Sequence, residues 1–201
     1  EKVIIHPRLF GVTQMVTAGE QSRWMLALKE RAVILGGQCN MCGQIYAPLY
    51  LEFCSNPTCR FNSLVPLELP DTGVLAAKPV VTLFAPASMN NEAPFCHGQV
   101  YLGNDQIQAT TAMMFWLETT TGVIHSGIYD HHTPVKLVFK DDGARQGLIT
   151  DVMAVPQAEL TAELLAKSPL YFSDLQKIEP VAPICIYTDE AKAQLKPILE
   201  R

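Results

Sequence analysis

The residues best equipped for chemistry are four cysteines in the run CNMCGQIYAPLYLEFCSNPTC, spaced Cys39-x2-Cys42 and Cys54-x4-Cys59. Two close pairs can each clamp one side of a tetrahedral ion, the arrangement a structural four-cysteine zinc site needs, so Zn(II) is the expected cofactor. Gly43 lets the chain turn so that backbone N–H groups face the thiolates, and Pro57 stiffens the longer second knuckle. The same cysteines allow two disulfides, an iron centre or four unrelated buried thiols. The N-terminal EKVIIHPRLF lacks a sustained apolar stretch and a small-residue cleavage site, which points to a reducing compartment and a cytoplasmic protein. With four thiolates closing the tetrahedron and leaving no position for water, the site is expected to hold a fold together rather than to catalyse.

Other reactive residues make weaker patterns. Cys96 and His97 are adjacent in an apolar segment, and neighbours on a strand point to opposite faces, so a nucleophile–base pair is not expected there. His131 and His132 follow Asp130, where a second metal site competes with a solvated turn, the preferred reading. Lys136, Lys140 and Arg145 suit either a CoA phosphate or, preferably, a charged barrel edge. No H-E-x-x-H, G-x-S-x-G or Walker A pattern occurs, so no catalytic residues are assigned.

Four zones must position these residues: an N-terminal helical segment (1–35), the ribbon (36–67), a strand-rich zone (68–156) and a helical extension (157–201). Glu20 to Ala32 places Trp24, Met25, Leu28 and Ala32 on one helical face, opposite Arg23, Lys29 and Glu30. Gln44 to Phe53 is expected to form ribbon strands, with Pro48 at an edge or turn. Five strands are expected at Gly73–Phe84, Phe95–Leu102, Gln106–Leu117, Thr133–Phe139 and Gly147–Val155, a count that fits a five-stranded OB-fold barrel, an SH3-like barrel or a sandwich. Beyond Pro156, Leu160, Leu164 and Leu165 share a helical face, and Thr188 caps a further helix. The fold class expected is therefore mainly β with flanking helices: a zinc ribbon, an OB-fold barrel and a helical C-terminal tail.

Hydrophobic residues form 48% of the chain and charged ones 17%, a low charged share that suggests apolar surface for a partner to cover. Met113, Met114, Phe115 and Trp116 form one apolar run whose outward members should meet the tail or that partner. The longest apolar runs are too short for a membrane span. A single-stranded nucleic-acid binder, a second role for ribbons and OB-folds, is disfavoured by the net charge of −5 and by Asp105, Glu118, Asp130, Asp141, Asp142 and Asp151 in the barrel zone.

The order helix, four-cysteine ribbon and five-stranded barrel resembles the DUF35 family, in which a rubredoxin-like zinc ribbon is fused to an OB-fold associated with acyl-CoA metabolism. The resemblance is carried by Cys39, Cys42, Gly43, Pro48, Cys54 and Cys59, by DTGVLAAKPVV, by APFCHGQVYL from Ala93 and by TPVKLVF from Thr133, and covers roughly residues 20 to 155. It implies a non-catalytic accessory subunit in a hetero-oligomer with a thiolase-like partner, such as the partner in benzoylsuccinyl-CoA thiolase. That partner would hold the nucleophilic cysteine, and CoA or acyl-CoA would be shared with it.

Overall fold

The computed structural model describes residues 19, 22–82, 95–117 and 130–175. Helix α1 (Arg23–Arg31) buries Trp24, Ala27 and Leu28, an i, i+3, i+4 stripe, and ends where Ala32 turns left-handed at φ 52 with its N–H on the Leu28 carbonyl oxygen. Met25, expected on the buried face, is 39% exposed because it lies a further step round the helix from that stripe and Ala27 takes its place.

The chain then enters a three-stranded antiparallel sheet in the order β2-β1-β3: β1 (Leu35–Cys39), β2 (Ile45–Tyr46) and β3 (Leu64–Glu68). Most of the expected Gln44–Phe53 strand is irregular, since only Ile45–Tyr46 pair with β1 and the chain then bends at Pro48. The glycine pair in β1 permits close packing. A Cβ on Gly36 would stand 2.8 Å from the Tyr46 carbonyl oxygen, and one on Gly37 would stand 2.7 Å from a Leu49 methyl.

Beyond Asp71 the strands are β4 (Thr72–Leu75), β5 (Val80–Thr82), β6 (Phe95–Leu102), β7 (Met113–Leu117), β8 (Pro134–Phe139), β9 (Val152–Pro156) and β10 (Leu170–Tyr171). Pairing runs β4-β6-β7-β9-β8 and returns to β4, which closes a five-stranded barrel. β7 and β9 are parallel while the other four seams are antiparallel, so the third strand meets the fifth, the ring order of an OB-fold. β5 adds to β6, and β10 adds parallel to the end of β8 beyond β4. The fold is mainly β, as the sequence implied, with a cysteine cluster in its N-terminal ribbon.

Three expected strands are shorter than their apolar patterns. The segment from Gly73 breaks between Leu75 and Val80, where Pro79 cannot donate to a ladder. Only Met113–Leu117 of the Gln106–Leu117 segment is strand, because a turn bridging Gly103 to Gln108 diverts the chain towards the ribbon. The last strand starts at Val152 rather than Gly147, since the Asp151 carboxylate captures the N–H groups of Gln146, Gly147 and Leu148 and folds that stretch into a turn.

Alternation fills the barrel with Leu75, Val100, Phe115, Val135 and Leu137. Val138, Met153 and Val155 point outward into a second apolar cluster, closed by Leu160, Leu170 and Leu175 of the tail, with Trp116 packed against it. The tail carries α2 (Ala162–Ala166), shorter than expected, with Thr161 accepting from the Leu164 N–H at 3.4 Å. The expected Thr188 cap lies outside the described residues. Among the described residues no helix is long and apolar enough to cross a membrane.

Ribbon and barrel are joined by hydrogen bonds from Thr110 and Thr111 to the ribbon backbone. The Thr110 N–H and hydroxyl both donate to the Ile45 carbonyl oxygen at 2.7 Å. The Thr111 hydroxyl accepts from the Ala47 N–H at 2.7 Å and donates to the Ala47 carbonyl oxygen at 3.1 Å.

Candidate metal centre

β1 delivers Cys39 at its end, and Cys42 follows across a tight turn in which Gly43, at φ 73, donates its N–H to the Cys39 carbonyl oxygen at 2.8 Å. Cys54 and Cys59 come from the second knuckle, where Asn56 caps a short 3-10 turn by accepting from the Thr58 N–H at 3.0 Å. The four sulfur atoms lie within 4.8 Å of one another, and the Cys42 and Cys54 sulfurs are 3.6 Å apart. A Zn–S distance of about 2.3 Å gives tetrahedral S···S edges of about 3.8 Å, so the group needs only slight contraction to surround an ion. Cys39, Cys54 and Cys59 are buried, Cys42 is exposed and all four thiols are free.

The surroundings suit thiolates. Met41 N–H and the Asn62 side-chain amide face the Cys39 sulfur at 3.4 and 3.6 Å, and Asn56 N–H faces the Cys54 sulfur at 3.4 Å. These include donors that sequence reasoning did not single out. Tyr46 is another: its hydroxyl lies 3.3 Å from the Cys54 sulfur and 3.0 Å from both Gln44 Oε1 and Ser55 Oγ. Burial, then the hydrogen bond to Cys54, keeps that phenol protonated and able to donate. The backbone hydrogen bond at Cys42, followed by that at Met41, lowers the Cys39 thiol to about 6 against the opposing effect of burial. Burial, reinforced by sharing protons with Cys42 and Cys54, pushes the Cys59 thiol up to about 12. One sulfur is thus ready as a thiolate, and another must release its proton to solvent when a cation binds. The four cysteines could hold a metal ion, and they form the one such cluster of three or more His, Cys, Asp or Glu found among the described residues.

The remaining candidates fall elsewhere. Cys96 is buried in the barrel core, while His97, the next residue on β6, is half-buried on the opposite side. His131 and His132 are exposed in the turn before β8, their rings 3.6 Å apart, with no metal cluster around them among the described residues. Met113 and Phe115 enter the core and Met114 is exposed, as alternation requires.

Lys136 and Arg145 are buried rather than part of the solvated edge expected for them, and Lys140 is half-buried. Lys136 is 1% exposed and donates to Asp71 at 3.0 Å; Lys140 donates to the buried Asp151 at 3.1 Å. Arg145 is buried against two backbone carbonyls and Asp142. The outward position of Lys136 on β8 is covered by neighbouring chain, so its charge needs an internal partner. That pair faces a cavity of about 430 Å3 between the link from α1 to β1, the end of β3 and β8, with Leu69, Phe139, Leu165 and Pro169 among its walls. Asp71 was missed as the partner of Lys136 because 65 residues separate the two.

No protein-family model matches the chain, and no curated protein sequence matches it. A solved chain described as "Ltp2-ChsH2(DUF35) aldolase" is similar in structure, with a TM-score of 0.48 and 17% sequence identity, covering 71% of this chain and 96% of that one.

Proposed function

We propose that this chain is a zinc-containing, non-catalytic subunit of a thiolase-type acyl-CoA enzyme, bracing a catalytic partner that carries the nucleophile and helping it hold acyl-CoA. Zn(II) would be held by Cys39, Cys42, Cys54 and Cys59. A tetrathiolate site of this kind contributes folding energy and leaves no coordination position for substrate. The supporting observation is the four-cysteine ribbon hydrogen-bonded through β2 to a closed five-stranded barrel, the two modules in the order that the DUF35 resemblance implies. We also assign the chain to the cytoplasm, where thiols stay reduced and metal competes successfully with disulfides. The divisions 36–67 for the ribbon and 68–156 for the OB-fold remain the proposed module boundaries.

The test is purification of the native complex from its source, identification of the companion chain, and assay of both chains apart and together. Expected is a thiolase-like companion, an inert isolated subunit, and acyl-CoA condensation or cleavage that depends on mixing. Turnover by the isolated chain, abolished by Cys96→Ala, would transfer the nucleophile to this protein. Tight, salt-sensitive binding to single-stranded DNA or RNA would make it a nucleic-acid binder instead.

A further inference from the structure

Three aromatic side chains of the ribbon stand in solvent: Tyr50 is 44% exposed, Phe53 49% and Phe61 80%. Together with Leu51, Glu52 and Cys54 they line one open groove of about 370 Å3. Backbone hydrogen bonds fix its walls, from Cys54 N–H to the Asn62 carbonyl oxygen at 2.9 Å and from Leu64 N–H to the Glu52 carbonyl oxygen at 3.0 Å. Phe61 is displayed against conformational preference. It sits at φ 60 after Arg60 at φ 49, two successive left-handed residues with bulky side chains, whereas the first knuckle uses Gly43 for its left-handed turn. Strain that holds a large ring in water is the kind of outlier that marks a binding site.

Glu52 is the charged side chain among those that line the groove, while the exposed Arg60, next to Phe61 in sequence, is not part of the lining. Aromatic faces carry negative quadrupole density, and the Glu52 carboxylate adds a negative charge between Tyr50 and Phe53 in sequence. Among the described residues the cation stacked on a ring is Arg145, 5.8 Å from the centre of Tyr171, so the groove's own rings hold none. We propose that this groove is a cation-accepting aromatic site that takes an arginine side chain from a protein partner. A guanidinium can stack on Phe61 or Phe53 while its N–H groups reach Glu52, satisfying plane and charge together. The chemistry of this contact stands whether or not the partner is a thiolase.

The metal-loaded chain is titrated with N-acetyl-arginine methylamide, with N-acetyl-leucine methylamide and with a ten-nucleotide oligo-dT, following the ring-proton resonances of Phe53 and Phe61. Expected is saturable binding of the arginine probe alone, weakened about 2- to 5-fold by Phe61→Gly and by Glu52→Gln. Phe61→Gly should also raise the melting temperature by releasing the left-handed strain, so lost binding is separated from lost folding, and metal content checks the ribbon. Equal binding of the leucine probe reduces the groove to a general apolar surface, and silence towards arginine removes the site. Preferential binding of oligo-dT that Phe61→Gly abolishes makes it a base-stacking platform; each of these results overturns the proposal.

Discussion

Arg145 donates from Nε to the backbone carbonyl oxygen of Lys29 at 2.9 Å, across 116 positions of sequence, and so ties the loop before β9 to the last turn of α1. Its other nitrogens donate to the Lys140 carbonyl oxygen at 2.9 Å and the Asp142 carboxylate at 2.6 Å. A helix end leaves carbonyls without intrahelical partners, and a buried cation there both satisfies one and opposes the negative pole of the helix. Arg145→Ala should cost about 2–3 kcal/mol, mostly from stranded buried acceptors. Arg145→Lys should recover little, because one ammonium cannot span three acceptors set at the corners of a planar fork. Chemical denaturation of the three proteins checks both values.

Removing Asp71 should harm more than removing Lys136. Asp71→Ala leaves the Lys136 ammonium buried without its carboxylate, a loss of about 3–5 kcal/mol. Lys136→Met exchanges the ammonium for an apolar chain of similar length, while Asp71, the more exposed partner, regains water. The double change Asp71→Ala with Lys136→Met should be more stable than Asp71→Ala alone, as a double-mutant cycle will show.

Acid should act through Asp151. Burial alone would raise its carboxyl, but the N–H groups of Leu148 and Gln146, the Lys140 ammonium and the Gly147 N–H outweigh burial and hold it below the ordinary carboxylate value. A folded-state value below the unfolded value of about 3.9 means that the stabilisation is complete well above that pH and disappears as pH falls through the folded value. Asp151→Asn should therefore be less stable than the parent by about 2–4 kcal/mol at pH 7, with the gap closing towards pH 2. Urea titrations at stepped pH measure the convergence.

Metal removal should melt the ribbon before the barrel. The purified chain is expected to carry about one zinc, lost on changing Cys39 and Cys42 together to Ser. Because burial holds the Cys59 thiol up at about 12, metal uptake near neutral pH must release protons, and retention against a chelator should weaken as pH falls. Hydrogen exchange after chelation should speed up at Gln38, which is paired with Ile45, while Val100 and Leu137 in the barrel stay protected.

The cysteines and the strands β6 and β8 were legible because spacing and alternation are local signals. β1 and β3 were not, since Leu-Gly-Gly-Gln reads as a breaker and is held as a strand only by partners on both sides. The basic cluster was misread for a related reason. Lys136 and Arg145 stand in polar-looking positions, and only the chain folded over them reveals that Asp71 and the Lys29 carbonyl are their partners. Likewise the turn at 147–151 hides inside an apolar run until one carboxylate gathers its amides. Local pattern names the elements; polar pairing, near for Asp151 and distant for Lys136 and Arg145, is what that pattern leaves unread.

The attachment at Thr110 and Thr111 reaches only main-chain atoms of Ile45 and Ala47. A fastening that ignores side-chain identity leaves the ribbon's outer sequence free to diverge without loosening its seat. The barrel can thus present different ribbon surfaces in one fixed orientation, as a socket accepts interchangeable tools, and Thr110→Val with Thr111→Val would strip the socket of its hydroxyl contacts while the backbone N–H at position 110 still holds the Ile45 carbonyl.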